Sequence, residues 1–261
     1  MKFLDLFAGI GGFRSGMEKA GHECVGFCEF DKYAVASYTS MYLITDEQRE
    51  YLATLPLKER QKEILKEEYR NGEWYANDIR SVRAADIPRA DAWCFGFPCQ
   101  DISVAGQQSG FYGSRSSLFF RVMRLVNDVG EKPKYLFIEN VKNLLSVNRG
   151  WDFARLLVEL DRGGYDAEWC LLNSKDFGVP QNRERVFIIG HLRGESGEKV
   201  FPVESTDGKN SIPIDQVGML KTDRVNPNQY RVYDADGVSP TLSKMDGGGR
   251  EPHITVEKEY P

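Results

Sequence analysis

The chain has 261 residues, 41% of them hydrophobic and 28% charged, with a formal net charge of −5. That balance excludes a disordered or fibrous polypeptide and leaves room for one large or two smaller globular domains. It also excludes a uniformly basic surface, although a local basic patch can still bind phosphate. No apolar run approaches the roughly 20 residues of a membrane span. Met1-Lys2-Phe3-Leu4-Asp5 carries an acid inside its apolar stretch and no cleavage pattern, so it does not read as a signal peptide. Cysteines at 24, 28, 94, 99 and 170 are odd in number and lack paired CxxC spacing, and His22, His191 and His253 form no ligand cluster with them. A disulfide framework and a structural zinc are not expected, and a reducing, cytoplasmic setting is.

In chain order, residues 2–8 predict a buried first strand that runs into Gly9-Ile10-Gly11-Gly12. Phe13, Met17 and Ala20 at helical spacing predict a helix over 13–20. Residues 24–28 predict a short strand ending at Glu29, and a helix follows from Tyr33 to Tyr42. Residues 45–74 carry dense mixed charge with leucines between, the pattern of a solvated helical insertion without chemistry. Asp91 to Phe95 reads as the next strand, 117–129 as a helix, and 134–138 as a buried strand that ends in Glu139-Asn140-Val141. A helix over 151–162 and strands over 168–172 and 186–190 complete the alternation. Strands alternating with helices predict a doubly wound α/β sheet. After about residue 195, Gly, Pro, Asp and Asn become frequent, and only short strand-like pieces such as Gln229 to Tyr233 remain. A domain boundary is expected there, giving 1–195 and 196–261.

Four constellations carry chemistry. A glycine-rich turn after the first strand, Asp5-Leu6-Phe7-Ala8-Gly9-Ile10-Gly11-Gly12, lets a ligand approach the backbone and the following helix N-terminus. Its G-x-G-G spacing differs from the G-x-G-x-x-G of nicotinamide enzymes. Glu29 follows about 20 residues on, where an acid can take ribose hydroxyls, so a nucleoside-containing cofactor fits, as does a simple packing turn. In Trp93-Cys94-Phe95-Gly96-Phe97-Pro98-Cys99-Gln100, Gly and Pro end a buried strand just before Cys99. Open α/β sheets build active sites at such strand ends, so Cys99 reads as a nucleophile or as a core thiol. Glu139 sits at another strand end, as a proton donor and acceptor or as a turn residue. Arg183 and Arg185, in Gln181-Asn182-Arg183-Glu184-Arg185, alternate onto one side and suit an anion, a base edge or a surface ion-pair array.

Taken together and in order, these segments resemble the cytosine-5 DNA methyltransferase family. Asp5 through Phe13 is similar to the family's opening motif and Gly96 through Gln100 to its nucleophile motif. Glu139-Asn140-Val141 is similar to its acid motif, and Gln181 through Arg185 to its arginine motif. The resemblance runs from residue 3 to about 192, and 231–249 is similar to part of the target-recognition region. It implies a Rossmann-like methyltransferase domain over 1–195 and a partial, mostly β and loop, recognition region over 196–261.

The resemblance also implies the activity: methyl transfer from S-adenosylmethionine to carbon 5 of cytosine in double-stranded DNA. It assigns Cys99 as the nucleophile toward carbon 6, Glu139 to ring nitrogen 3, Arg185 to the base carbonyl and Arg183 to its support. The base must leave the duplex to reach Cys99. For the cofactor it points to Phe7, Gly9 and Gly11 at the methionine end, Glu29 on the ribose, and Phe30 packed on adenine. Asp78 and Ile79 would meet the adenine edge, with Pro98 and Leu118 lining the pocket. Residues 103–115 resemble the family's mobile loop over flipped DNA, with Ser103, Gln107 and Arg115 as DNA contacts. A bacterial or phage modification enzyme is implied, with S-adenosylhomocysteine as its product. The family's last two motifs have no counterpart here, so a truncated chain, or a second chain that supplies them, is expected, with weak or no methyl-transfer activity in isolation. A tRNA cytosine methyltransferase and a non-catalytic DNA-binding half of a split enzyme are the alternative readings.

Overall fold

The structure is a computed structural model that describes residues 1–98, 117–195 and 198–202, and beyond them the backbone of four short strands. In chain order the elements are β1 (Lys2–Leu6), α1 (Gly12–Lys19), β2 (Glu23–Cys28), α2 (Lys32–Tyr42), α3 (Asp46–Thr54), α4 (Leu57–Glu63) and β3 (Trp74–Ala76). Then come β4 (Ala92–Phe95), α5 (Ser117–Asp128), β5 (Tyr135–Val141), α6 (Trp151–Arg162), β6 (Tyr165–Asn173), β7 (Gln181–Asn182) and β8 (Glu184–Leu192). The last strands are β9 (Gln216–Met219), β10 (Arg231–Tyr233), β11 (Ser239–Pro240) and β12 (His253–Ile254). No helix among the described residues is long and apolar enough to cross a membrane.

Contacts divide the chain into two compact units, Met1–Cys170 with Val186–Phe201, and Leu171–Arg185 with Pro202–Pro261. A seven-stranded sheet has the order β3-β2-β1-β4-β5-β8-β6. β1 pairs in parallel with β2 and β4, as do β2 with β3 and β4 with β5. β8 runs the other way: its last residue, Leu192, donates to Lys134 just before β5, and Arg193 donates to Gly164 just before β6. The later residues contribute β9 and β12 on either side of β10, and β11 paired with β7.

Helices cover both faces of the sheet, as a doubly wound fold requires. Strand side chains alternate, so one set, Phe3, Ala92 and Cys94, packs under Phe13 and Met17 of α1. The opposite set, Leu4, Leu6, Trp93, Phe95, Leu136 and Ile138, packs with Phe119, Val122 and Val126 of α5 and Leu156 and Leu160 of α6. A smaller cluster joins Ala8 and Phe27 to Val35 and Tyr38 of α2.

Two expectations need correction. The first strand stops at Leu6, because Phe7 takes a left-handed φ of 54° and breaks the ladder. The charged stretch 45–74 is not helical throughout: after α3, α4 and a 3-10 turn at Glu67–Arg70, Trp74 opens the edge strand β3. Three residues are too short to show alternation. Thr45 starts α3 with a capping box, accepting from the Gln48 amide while the Gln48 side chain accepts from its own.

One polar group sits in the sheet interior. Asp5 in β1 is fully buried, and neither carboxylate oxygen has a hydrogen-bond partner. Burial pushes its carboxyl well above the ordinary range; the Arg14 amide and guanidinium oppose this, and Glu29 and Glu73 add to it. A carboxyl whose folded pKa exceeds its unfolded value stabilises the fold below the unfolded pKa, about 3.9 for Asp. That contribution is lost as pH rises through the folded pKa. Asp5→Asn should therefore stabilise the chain relative to wild type increasingly as pH rises above about 4. Paired denaturation curves at about pH 5 and 8 check this, and a pH-independent difference would contradict it.

Candidate active site

The sheet order reverses at β1, which has β2 on one side and β4 on the other. In open α/β sheets the crevice outside the carboxyl ends at this point binds ligands. β1 delivers Phe7 to this edge, β2 delivers Cys28 and Glu29, and β4 delivers Gly96 and Pro98. These residues line a cleft of about 460 Å³ with Phe30, Asn77, Asp78, Ile79, Arg80 and Leu118. The volume lies in the usual range for small-ligand sites.

The turn after β1 is held from two directions. The Gly9 amide donates to Glu29 Oε2 at 2.7 Å, and the Asp31 amide donates to Glu29 Oε1 at 2.7 Å. One carboxylate thus joins the ends of β1 and β2 and faces the cleft. The Gly11 amide closes the turn on the Ala8 carbonyl at 2.8 Å. Gly11 has φ 89°, and a Cβ there would stand 2.4 Å from Tyr42 Cε2. Glycine is required at this position by both backbone conformation and space.

The donor and acceptor set suits a nucleoside. Phe30 is 66% exposed, leaving an aromatic face for a base. The Glu29 and Asp78 carboxylates can accept from hydroxyl or amino groups. Ile79, Leu118 and Pro98 supply apolar walls. Glu29 and Asp78 against Arg80 leave the lining negative on balance, which favours a cationic ligand over an anionic one. Asp78 is bridged by Arg80, whose Nη2 lies 2.7 Å from Oδ2, and this pairing holds the Asp78 carboxyl below its ordinary range. Cys28 lines the same cleft, but burial above all, then Glu29 and Asp78, pushes its thiol up to about 12. A thiol, not a thiolate, is the wrong form for a nucleophile. Burial likewise raises Cys24 to about 11 and Cys94 well above its ordinary value.

Glu139, near the carboxyl end of β5, lies beside the end of β4: a Cβ on Gly96 would stand 3.0 Å from Glu139 Oε2. The neighbouring Asn140 is 2% exposed, and its Nδ2 donates to the Phe97 carbonyl at 3.3 Å. Asn140 therefore ties β5 to the Phe97-Pro98 peptide that leads to Cys99. A buried hydrogen bond of this kind contributes about 1 kcal/mol.

The structure gathers Phe7, Glu29, Phe30, Asp78, Ile79, Pro98 and Leu118 around one cleft. Gly9 and Gly11 do not line it; they shape the turn beside it. Cys28, Asn77, Arg80, Gly96 and Asn140 were not singled out as site residues from sequence. Asn77 precedes Asp78 and Arg80 follows Ile79, while Gly96 and Asn140 fall inside the segments similar to the nucleophile and acid motifs. Cys99, Ser103, Gln107 and Arg115 lie outside the described residues.

Arg183 and Arg185 belong to the second unit. The Arg183 amide donates to Asn173 Oδ1 at 3.0 Å, its carbonyl accepts from the Ser174 amide, and Arg185 Nη1 donates to the Glu184 carbonyl at 2.7 Å. Asn173 Nδ2 also donates to Asn182 Oδ1 at 2.7 Å. Asn173 thereby fixes the backbone from which the first arginine projects.

A family model described as C-5 cytosine-specific DNA methylase matches residues 1–236. The chain is 32% identical to the Type II methyltransferase M.HhaI of Haemophilus parahaemolyticus, over 95% of this chain and 75% of that protein. It is 37% identical to M2.ScrFI of Lactococcus lactis subsp. cremoris, over 74% of this chain and 61% of that protein. It is 36% identical to M.NlaX of Neisseria lactamica, over 73% of this chain and 52% of that protein. Against the last two, the chain spans roughly half to three fifths of the relative's length. The S. pombe Dnmt2 methyltransferase shares the fold, with a TM-score of 0.64 at 17% identity, covering 100% of this chain and 78% of that one.

The turn geometry yields a graded expectation. Gly9 has φ 56° but nothing within 4 Å of a Cβ, whereas Gly11 combines φ 89° with the Tyr42 ring. Gly9→Ala should cost about 1 kcal/mol of stability, and Gly11→Ala roughly 2–3 kcal/mol. Urea denaturation of the two variants checks this, and equal losses would contradict it.

Proposed function

The chain belongs to the C-5 cytosine-specific DNA methylase family, and from that premise we propose that it transfers a methyl group from S-adenosylmethionine to carbon 5 of cytosine in double-stranded DNA. The observation that carries this reading is the juxtaposition at one sheet edge of a nucleoside-sized cleft, the Glu139 carboxylate and the peptide leading to Cys99. We assign Phe7, Glu29, Phe30, Asp78, Ile79, Pro98 and Leu118 to the cofactor, with Gly9 and Gly11 shaping the turn at its methionine end. When bound, S-adenosylmethionine supplies an electrophilic methyl group. The lining, negative on balance with Glu29 and Asp78 against Arg80, suits its positive charge.

Carbon 5 of cytosine is a weak nucleophile, and covalent catalysis answers that. The Cys99 thiolate adds to carbon 6 of a base turned out of the duplex. Glu139, as the acid, hydrogen-bonds ring nitrogen 3 and supports the charge that develops there. Arg185 meets the base carbonyl, and Arg183 supports the site. Carbon 5 becomes enamine-like and accepts the methyl group. Loss of the carbon 5 proton to a base then expels Cys99 and restores the ring. The high pKa values of Cys28 and Cys94 fit a site in which neither competes with Cys99.

Ser103, Gln107 and Arg115 are proposed as DNA contacts on a loop that closes over the flipped base. Residues 196–261 are proposed as part of the target-recognition region. Relatives named Type II methyltransferases support a role as the modification partner of a restriction system of bacterial or phage origin.

DNA carrying 5-fluorocytosine blocks the proton-loss step. With S-adenosylmethionine present, the protein should form a complex with such DNA that survives denaturing electrophoresis, and Cys99→Ser should abolish it. Methylation of ordinary DNA without any trapped complex would overturn the covalent route. Gly96→Ala should push Glu139 aside by a few tenths of an ångström and lower kcat on DNA by about tenfold.

A further inference from the structure

The turn at Ala8–Gly11 is held by Glu29, just ahead of α2, and by Tyr42 at the C-terminal end of α2. At its N-terminal side, Asp31 caps α2 by accepting from the Tyr33 and Ala34 amides, and Glu29, two residues earlier, holds the Gly9 amide. At its C-terminal end, Tyr42 is the last helical residue, and its hydroxyl donates to the Gly11 carbonyl at 3.0 Å. The same carbonyl accepts the first helical bond of α1, from the Ser15 amide at 2.9 Å. Gly11 is the N-cap of α1 and has no side chain to fix the helix start, so the Tyr42 hydroxyl is the side-chain group that anchors its backbone. The ring fills the space where a Cβ on Gly11 would stand.

Tyr42 is itself held in place. The Arg14 guanidinium lies over its ring, 5.0 Å from the centroid, and the Tyr38 ring packs against it at 5.0 Å. Arg14 is 6% exposed and is fixed by Glu18 at 2.8 Å, by both oxygens of Glu73 at 2.7 and 3.0 Å, and by the Tyr38 hydroxyl at 3.3 Å. The guanidinium is thus committed to its carboxylates, and its remaining face serves as a platform for the tyrosine.

We infer that Tyr42, oriented by Arg14, is a positioning residue for cofactor binding. It fixes the Gly11 peptide and through it the turn that follows Phe7, which lines the cleft. Neither Tyr42 nor Arg14 lines the cleft, so the effect passes through the backbone. The inference rests on the cofactor reading of the cleft.

Tyr42→Phe keeps the ring and deletes the hydroxyl. In the whole chain, calorimetric titration with S-adenosylhomocysteine should show binding roughly three- to tenfold weaker than wild type, the range of one lost hydrogen bond. KM for S-adenosylmethionine should rise with kcat on DNA retained. In the ligand-free chain, amide hydrogen exchange should quicken from Gly11 to Ser15 and stay unchanged in β5. Unchanged affinity with unchanged local exchange would overturn the inference, as would exchange that quickens everywhere, the mark of a merely structural loss. A wild-type chain that binds no S-adenosylhomocysteine would refute the cofactor reading instead. The local exchange rates would then still decide whether Tyr42 holds the turn.

Discussion

Parallel pairing of β1 with both β2 and β4 forces the chain to leave all three strands at one edge of the sheet. Each exit must then turn back over the surface, and backbone groups at these exits have no ladder partners. The Glu29 carboxylate supplies partners to two of them, the Gly9 and Asp31 amides. β4 and β5 continue the parallel register, with Phe95 opposite Ile138, so Gly96 and Glu139 lie side by side at the same edge. The cleft is the gap that opens where these exits diverge.

A polar layer lies behind that edge. Arg14 joins Glu18, Glu73 and Tyr38, while Asp5 sits in the sheet without a hydrogen-bond partner. Glu73 is pushed up by burial, and Arg14 opposes the shift. A buried cation that lost its carboxylates would be strongly destabilising, so the cluster holds α1, α2 and the start of β3 in one arrangement. Its geometry reaches the cleft through the turn at Gly11 and through β3, which leads from Glu73 to Asn77 and Asp78. The cleft's own acids differ in kind, because Asp78 is held below its ordinary range by an exposed arginine.

Strand and helix order was readable along most of the chain, because apolar residues recur at the period of each element and Gly and Pro mark the ends. β3 is not legible in the sequence because three half-buried residues carry no periodicity. β1 ends earlier than its apolar run implies because Phe7, an apolar residue with ordinary strand preference, is held left-handed at a position where glycine would be expected. Glu29 was picked out by its distance from the glycine turn. Its double role as crosslink between strand ends depends on the register of β1 against β2, which neither segment states alone.

From residue order alone came the doubly wound alternation, the glycine turn, and the motif series that resembles cytosine-5 methyltransferases. These properties are local: each depends on side-chain types within a few residues and on their spacing. Tertiary structure decided which of those residues share a cleft and which only shape its walls. It placed Glu139 against Gly96, tied Asn140 to the Phe97 carbonyl and set Tyr42 over Gly11. Such contacts join residues 31 to 43 positions apart. They arise from strand order and helix packing, where the sum of many buried contacts selects one arrangement that no short segment encodes.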